Sequence, residues 1–201
     1  MFYETAAGHP LPHDPFKAIV APRPIGWISA VDGQGRVNLA PYSFFNAVSD
    51  RPHMVAFSSD GEKDALAFVR ETGEFVCSLA TWDLREAMNA TSAPLARGES
   101  EFGHAGLTPA PSRLVAPPRV AESPVALECK LLQVVPLTAL DGGTRYTMAI
   151  GQVVGVHIDD RFLVDGLLDT AAMKPIARAG YRDYFVATAE TRFSLTRPAG
   201  G

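Results

Sequence analysis

Apolar and polar residues alternate most regularly over residues 125–131, where Val125, Leu127, Cys129 and Leu131 interleave with Ala126, Glu128 and Lys130. A period of two predicts a strand with one buried face. Residues 25–31 are rich in β-formers and run into the turn Asp32-Gly33-Gln34-Gly35, after which residues 36–40 return as the second arm of a hairpin. Residues 53–58 and 74–80 are short apolar runs of strand length. Between them the period changes: Ala65, Leu66, Phe68 and Val69 recur at helical spacing from Glu62 onward, and Gly73 stands where a C-terminal cap belongs. Ser58, Ser59 and Asp60 precede this helix as capping candidates.

A second helix is predicted over residues 84–89. Residues 91–118, rich in Pro, Gly and Ser, then read as an extended surface excursion. After Leu140-Asp141-Gly142-Gly143, the β-rich run 146–158 completes another hairpin, with Gly151 and Gly155 placed where a bulge would let the strand curl. Strands outnumber helices, with no regular βαβ alternation, internal repeat or heptad seam. The expected fold is therefore an all-β barrel with peripheral helices, forming one domain over residues 1–201.

Charge narrows the partners. The net charge is -4 and the basic residues are scattered, so nucleic acid is not an expected partner. Residues 1–15 lack the basic start and apolar run of a signal peptide, and nowhere do 18 apolar residues run together, so neither export nor a membrane span is expected. Cys77 and Cys129, each within an apolar run, read as buried thiols of a reducing compartment, which points to the cytoplasm. On that reading Asn89-Ala90-Thr91 is a chance match to a glycosylation site.

Chemistry is spread thinly. His9 and His13 have the spacing of a helical metal pair, but Pro10 and Pro12 disfavour the helix, and no other cluster has metal-ligand spacing. No nucleophile elbow, P-loop or dinucleotide fingerprint follows a strand. Ser58, Ser59 and Lys63 put hydroxyls and an ammonium at a helix start, where free N–H groups and the macrodipole favour an anion. The same pattern also serves as an ordinary helix cap. Residues 23–29 and 38–46 are dense in aromatics and small polar residues, as a flat ligand would want or as turn packing would produce. His157 ends a strand at a rim position, and Arg178, Tyr181 and Tyr184 form a further polar-aromatic cluster.

Taken together these segments resemble the flavin reductase-like family of FMN-binding split β-barrels, especially its flavoredoxin-like branch. The resemblance rests most on Arg23-Pro24-Ile25-Gly26-Trp27-Ile28-Ser29, on Asn38 to Asn46 and on Ser58-Ser59, and continues in order through residues 89–92, 117–127, 151–157 and 178–184. It implies a homodimer with FMN in a cleft beside the interface, its phosphate near Ser59 and Lys63 and its ring against residues 41–46. The cofactor-binding set it implies is Arg23, Trp27, Tyr42, Ser43, Phe44, Phe45, Asn46, Ser58, Ser59, Lys63, Asp64, Asn89, Arg178 and Tyr181. Backbone N–H groups around Phe45 and Asn46 are expected at the polar edge of the ring. Ala65 stands where Thr is expected in this branch, which removes a hydroxyl from the phosphate and implies weaker FMN binding.

The resemblance further implies an NAD(P)H-dependent flavin reductase, with His157 as the candidate catalytic residue lining the nicotinamide position and an electron-acceptor protein or oxygenase as partner. The alternative is a flavoredoxin-like FMN electron carrier that does not oxidise NAD(P)H itself. A heme or pyridoxine-phosphate binder on the same barrel is disfavoured by the run from Arg23 to Asn46.

Overall fold

The computed structural model describes residues 1–96 and 98–198. Gly26–Val31 (β1) and Val37–Tyr42 (β2) form the expected hairpin, in register from Gly26 opposite Tyr42 to Val31 opposite Val37. Asp32 fixes its turn: the carboxylate accepts from the Gln34 and Arg36 N–H groups at 3.0 and 2.8 Å and pairs with the Arg36 guanidinium. Phe45–Asp50 (β3) and His53–Asp60 (β4) make a second hairpin, whose first arm the hydropathy pattern does not announce because it carries no buried position.

Asp64–Thr72 (α1) ends at Gly73, which adopts φ 75° and donates its N–H to the Val69 carbonyl at 2.9 Å. Glu74–Leu79 (β5) and Arg85–Ala90 (α2) follow, then the long strands Val125–Thr138 (β6) and Thr144–Ile158 (β7). The seven strands form one sheet in the order β2-β1-β5-β6-β7-β4-β3. Its register slips at Ile150/Gly151 and Val153/Gly155, the two glycine positions expected to bend it.

The sheet rolls into a split barrel because small residues on one strand receive large ones from another. A Cβ on Gly26 would lie 2.5 Å from the Phe45 ring, and one on Gly151 2.4 Å from Phe75. Inside, Phe57 packs against Tyr42 and Phe75, with ring centroids 4.9 and 5.5 Å apart, and α1 buries Leu66 and Val69 in the same core. Cys77 and Cys129 are free and buried there, and burial pushes the Cys77 thiol up to about 12. A second core around Trp27, Leu39, Met88 and Ile176 lies between β1, β2 and the outer segments. Beside it, Arg23–Pro24, Ile176–Arg178 (β8) and Tyr184–Val186 (β9) form a small separate sheet.

Three expectations need correction. Ser58, Ser59 and Asp60 do not cap α1; they continue β4, opposite Met148, Thr147 and Tyr146. Residues 91–118 are more than a solvated excursion, since Phe102 and Leu107 are buried and the Glu101 carboxylate accepts from Asn38 Nδ2 and Leu39 N at 2.8 and 2.9 Å; Arg97 in this stretch lies outside the described residues. Glu128, expected on a polar face, is fully buried, because that stretch folds over it and donates the Arg113 and Leu114 N–H groups to its carboxylate at 2.7 and 2.6 Å. Among the described residues no helix is long and apolar enough to cross a membrane.

Candidate functional site

Three cavities overlap to form one groove along the split of the barrel. The first, of about 570 Å³, is bordered by Arg178 and Tyr181; the second, of about 550 Å³, by Ser58 and Lys63; the third, of about 950 Å³, by Arg145 and Tyr146. Pro41, Ser43 and Ser92 border both of the first two, Phe44 and Ser58 both of the last two, and Lys17 borders all three.

Residues 41–44 form the barrel wall of this groove. Pro41, Ser43 and Phe44 line it. Tyr42 also borders it, but its ring packs into the core, and burial pushes the phenol up to about 12 while the Ser59 hydroxyl pulls the other way. Phe45 lines a different, apolar trough. Asn46 is exposed and its Oδ1 accepts from the Ala47 N–H at 2.9 Å; it borders none of the three cavities. β3 is an edge strand, so one row of its N–H groups lacks a ladder partner.

At this end Lys63 itself occupies the N-cap position of α1, and its side chain makes no capping hydrogen bond. Lys63 and Ser58 border this end with Thr91 and Ser92. The carboxylates nearby are largely matched. Arg145 grips Asp60 with two 2.8 Å hydrogen bonds and holds its carboxyl below the usual range. Burial pushes Glu101 upward, against the hydrogen bonds from Leu39 and Asn38. Asp64 sits in the first turn and subtracts from the positive potential. Ser59 is fully buried and donates to the Gly61 carbonyl at 2.8 Å, so its hydroxyl supports the β4 end from inside.

The opposite wall comes from the two ends of the chain. Arg23 is buried, and its guanidinium donates to the carbonyls of Lys17, Val20 and Ala179. It therefore binds the N-terminal segment to the segment around Gly180, where a Cβ would stand 2.4 Å from that of Ala18. Arg178 lies over the Tyr184 ring at 4.5 Å and donates to the Tyr181 carbonyl. Tyr181, at φ 54°, meets His13 edge-on with ring centroids 5.9 Å apart. Asn89 at the end of α2 completes this end of the groove.

Besides Phe45, Asn46 and Ser59, two further expected site residues stand outside the groove. Trp27 is fully buried in the outer core and donates Nε1–H to Thr91 Oγ1 at 2.9 Å, so it supports the segment carrying Ser92 without lining the groove. His157 Nε2 lies 2.5 Å from Glu128 Oε1 and borders none of the three cavities. Burial opposes the Glu128 charge, but His157 and the two N–H donors prevail and hold the carboxyl below its usual range. His157 thus belongs to a buried anchor for residues 113–114. The sequence reading missed Lys17, Arg145 and Tyr146; the only signal for Lys17 would have been Arg23, whose hydrogen bonds bring it in.

A family model described as flavin reductase like domain matches residues 20–172. An uncharacterized protein of Halalkalibacterium halodurans is 39% identical over 184 residues, covering 89% of this chain and 87% of its own. Among solved structures, nitrilotriacetate monooxygenase component B from Bacillus cereus superposes with a TM-score of 0.86 at 30% identity, over 97% of this chain and 98% of its own. Flavoredoxin of Desulfovibrio vulgaris (Miyazaki F) shares the fold, with a TM-score of 0.77 at 24% identity over 89% of this chain and 92% of its own.

Proposed function

The chain belongs to the flavin reductase-like domain family, and from that premise we propose that it binds FMN in the groove and passes hydride from NAD(P)H to the flavin. The observation that carries this reading is the lining of the groove: Lys63 at the N-cap of α1 at one end, Arg178 at the other, and Pro41, Ser43 and Phe44 between them. Bound FMN supplies the redox centre. Lys63 and the α1 amides hold the phosphate, with the Ser58 and Ser92 hydroxyls as further donors. Ala65 borders this end of the groove without a hydroxyl, which weakens the grip. The Ser43 hydroxyl serves the polar edge of the ring, and such a donor favours the electron-rich reduced state. Asn89, Arg178 and Tyr181 close the far end.

The apolar trough on the other side of Phe45, of about 520 Å³ and lined by Leu79, Leu127, Ile176 and Phe185, supports self-association as a homodimer beside the groove. The likeness to a monooxygenase component B at 30% identity supports an oxygenase as the consumer of reduced flavin. Two buried free thiols agree with a cytoplasmic setting.

The test is anaerobic: NADH or NADPH added to the FMN-loaded protein should bleach the flavin absorbance within the mixing time of a stopped-flow or cuvette experiment. A flavin that dithionite reduces and neither nucleotide does would leave an FMN electron carrier.

A further inference from the structure

Beyond Asn89 the groove opens into an annex of about 490 Å³, which shares Met88, Asn89, Arg178 and Tyr184 with it. Its remaining walls bring together Trp82, Arg85, Glu86 and Arg182 with Ile176, Phe185 and Val186, which it shares with the apolar trough. Three guanidinium groups, those of Arg85, Arg178 and Arg182, face one carboxylate, in a chain whose net charge is -4. That carboxylate, Glu86, already lies 3.5 Å from Arg85. A fourth guanidinium is near enough that burial and then Arg178 lower the pKa of Arg23. Three arginines and one glutamate give the lining of this cavity a positive balance.

Two of the arginines are held ready. Arg85 lies 4.0 Å over the Trp82 ring and donates to the Trp82 carbonyl at 2.8 Å. Arg178 is held over Tyr184 and tied to the Tyr181 carbonyl. Arg178 commits one N–H donor to a backbone carbonyl, and Arg85 commits one to a carbonyl and turns its Nε toward Glu86, which leaves the remaining donors of each for a ligand. Stacking removes much of the rotamer freedom that a free arginine would lose on binding. Trp82 is 45% exposed and Tyr184 39%, so flat apolar surface is also presented. Aromatic faces beside several arginines suit a purine with phosphates, and continuity with the groove suits a ligand with a second flat end.

We propose that the annex binds the adenosine-phosphate end of the nicotinamide dinucleotide and selects the 2′-phosphorylated form, NADPH. This rests on the reading of the groove as the site where NAD(P)H meets FMN. Recognition of an unphosphorylated ribose usually employs an acidic residue on the 2′-hydroxyl, whereas arginine accommodates the 2′-phosphate. The one acid here is engaged by Arg85, and the arginines predominate.

The experiment is calorimetric titration of the FMN-loaded protein with adenosine 2′,5′-bisphosphate and with adenosine 5′-monophosphate. The bisphosphate should bind roughly 10- to 150-fold more tightly, the range of a charge-assisted hydrogen bond. R85A/R182A should abolish that ratio; R85A and R182A should each reduce it, which keeps the question answerable should the double variant fail to fold. Equal affinities in the parent, or a ratio that survives the double substitution, would overturn the proposal. If the ratio is present but NADPH does not bleach the flavin, the hydride-transfer reading fails and the annex stands. If both nucleotides bleach it and the ratio is absent, the annex fails alone.

Discussion

The groove and the apolar trough are bordered by successive residues of the same segment, 41–45, and are opposite in character. The groove presents Lys17, Lys63 and Arg178 with three serines, whereas the trough is lined by Ile25, Phe45, Leu127, Phe185 and other apolar groups. What separates them is the bend between β2 and β3: residues 41–44 all border the groove, and the chain reaches the trough only at Phe45, where β3 begins. Ser43 and Phe44 meet the groove, and Phe45 meets the trough against Gly26. Ligand binding and self-association can therefore be altered separately by substitutions a short distance apart, even though the backbone couples them.

The largest expected effect is on the trough side, at Phe185, which the trough shares with the annex. Phe185 is 56% exposed in the single chain, and an apolar anchor at the centre of an interface typically contributes about 2–4 kcal/mol. Phe185→Glu should convert the dimer to monomers in sedimentation at micromolar concentration; a variant that stays dimeric would remove the trough from the interface. Next comes the groove side. Lys63→Ala should weaken FMN binding roughly 10- to 150-fold, the worth of one charge-assisted hydrogen bond, while riboflavin, which lacks the phosphate, binds as before. A parallel loss for riboflavin would mean that Lys63 serves the ring or the fold.

The smallest effect tests the shared wall. Gly26→Ala puts a methyl group 2.5 Å from the Phe45 ring, and overpacking of this kind costs about 1–3 kcal/mol. Urea unfolding should report that loss in the midpoint with an unchanged slope, and an unperturbed midpoint would show that Phe45 yields freely.

Much of the barrel was legible because its determinants are local. Asp32-Gly33-Gln34-Gly35 carries its own turn, Gly73 its own cap, and Gly151 and Gly155 mark the bends. The elements that misled are those whose partner is distant. Ser58, Ser59 and Asp60 have the composition of a helix cap, and only the pairing with residues 146–148 makes them strand. Glu128 obeys the alternation of a solvated face until residues 113–114 cover it. His157 is drawn to that carboxylate, which no local pattern discloses. Residues 42–44 and Lys63 were picked out by sequence and border the groove, whereas Lys17 was not, because it is held there by a tertiary contact in which buried Arg23 donates to its carbonyl.

That arginine has a consequence for the shortened forms of the chain that proteolysis or cloning produces. No member of either buried core cluster precedes Ile25, so a truncated polypeptide starting near residue 23 keeps both apolar cores and loses the packing of Ala18 on Gly180 and the carbonyl partners of Arg23. What it forfeits is the segment that Arg23 clasps, and with it Lys17 and one bank of the groove. Soluble expression and a normal melting curve are therefore poor guides to whether such a trimmed product is competent, because the trimming removes recognition while sparing the cores.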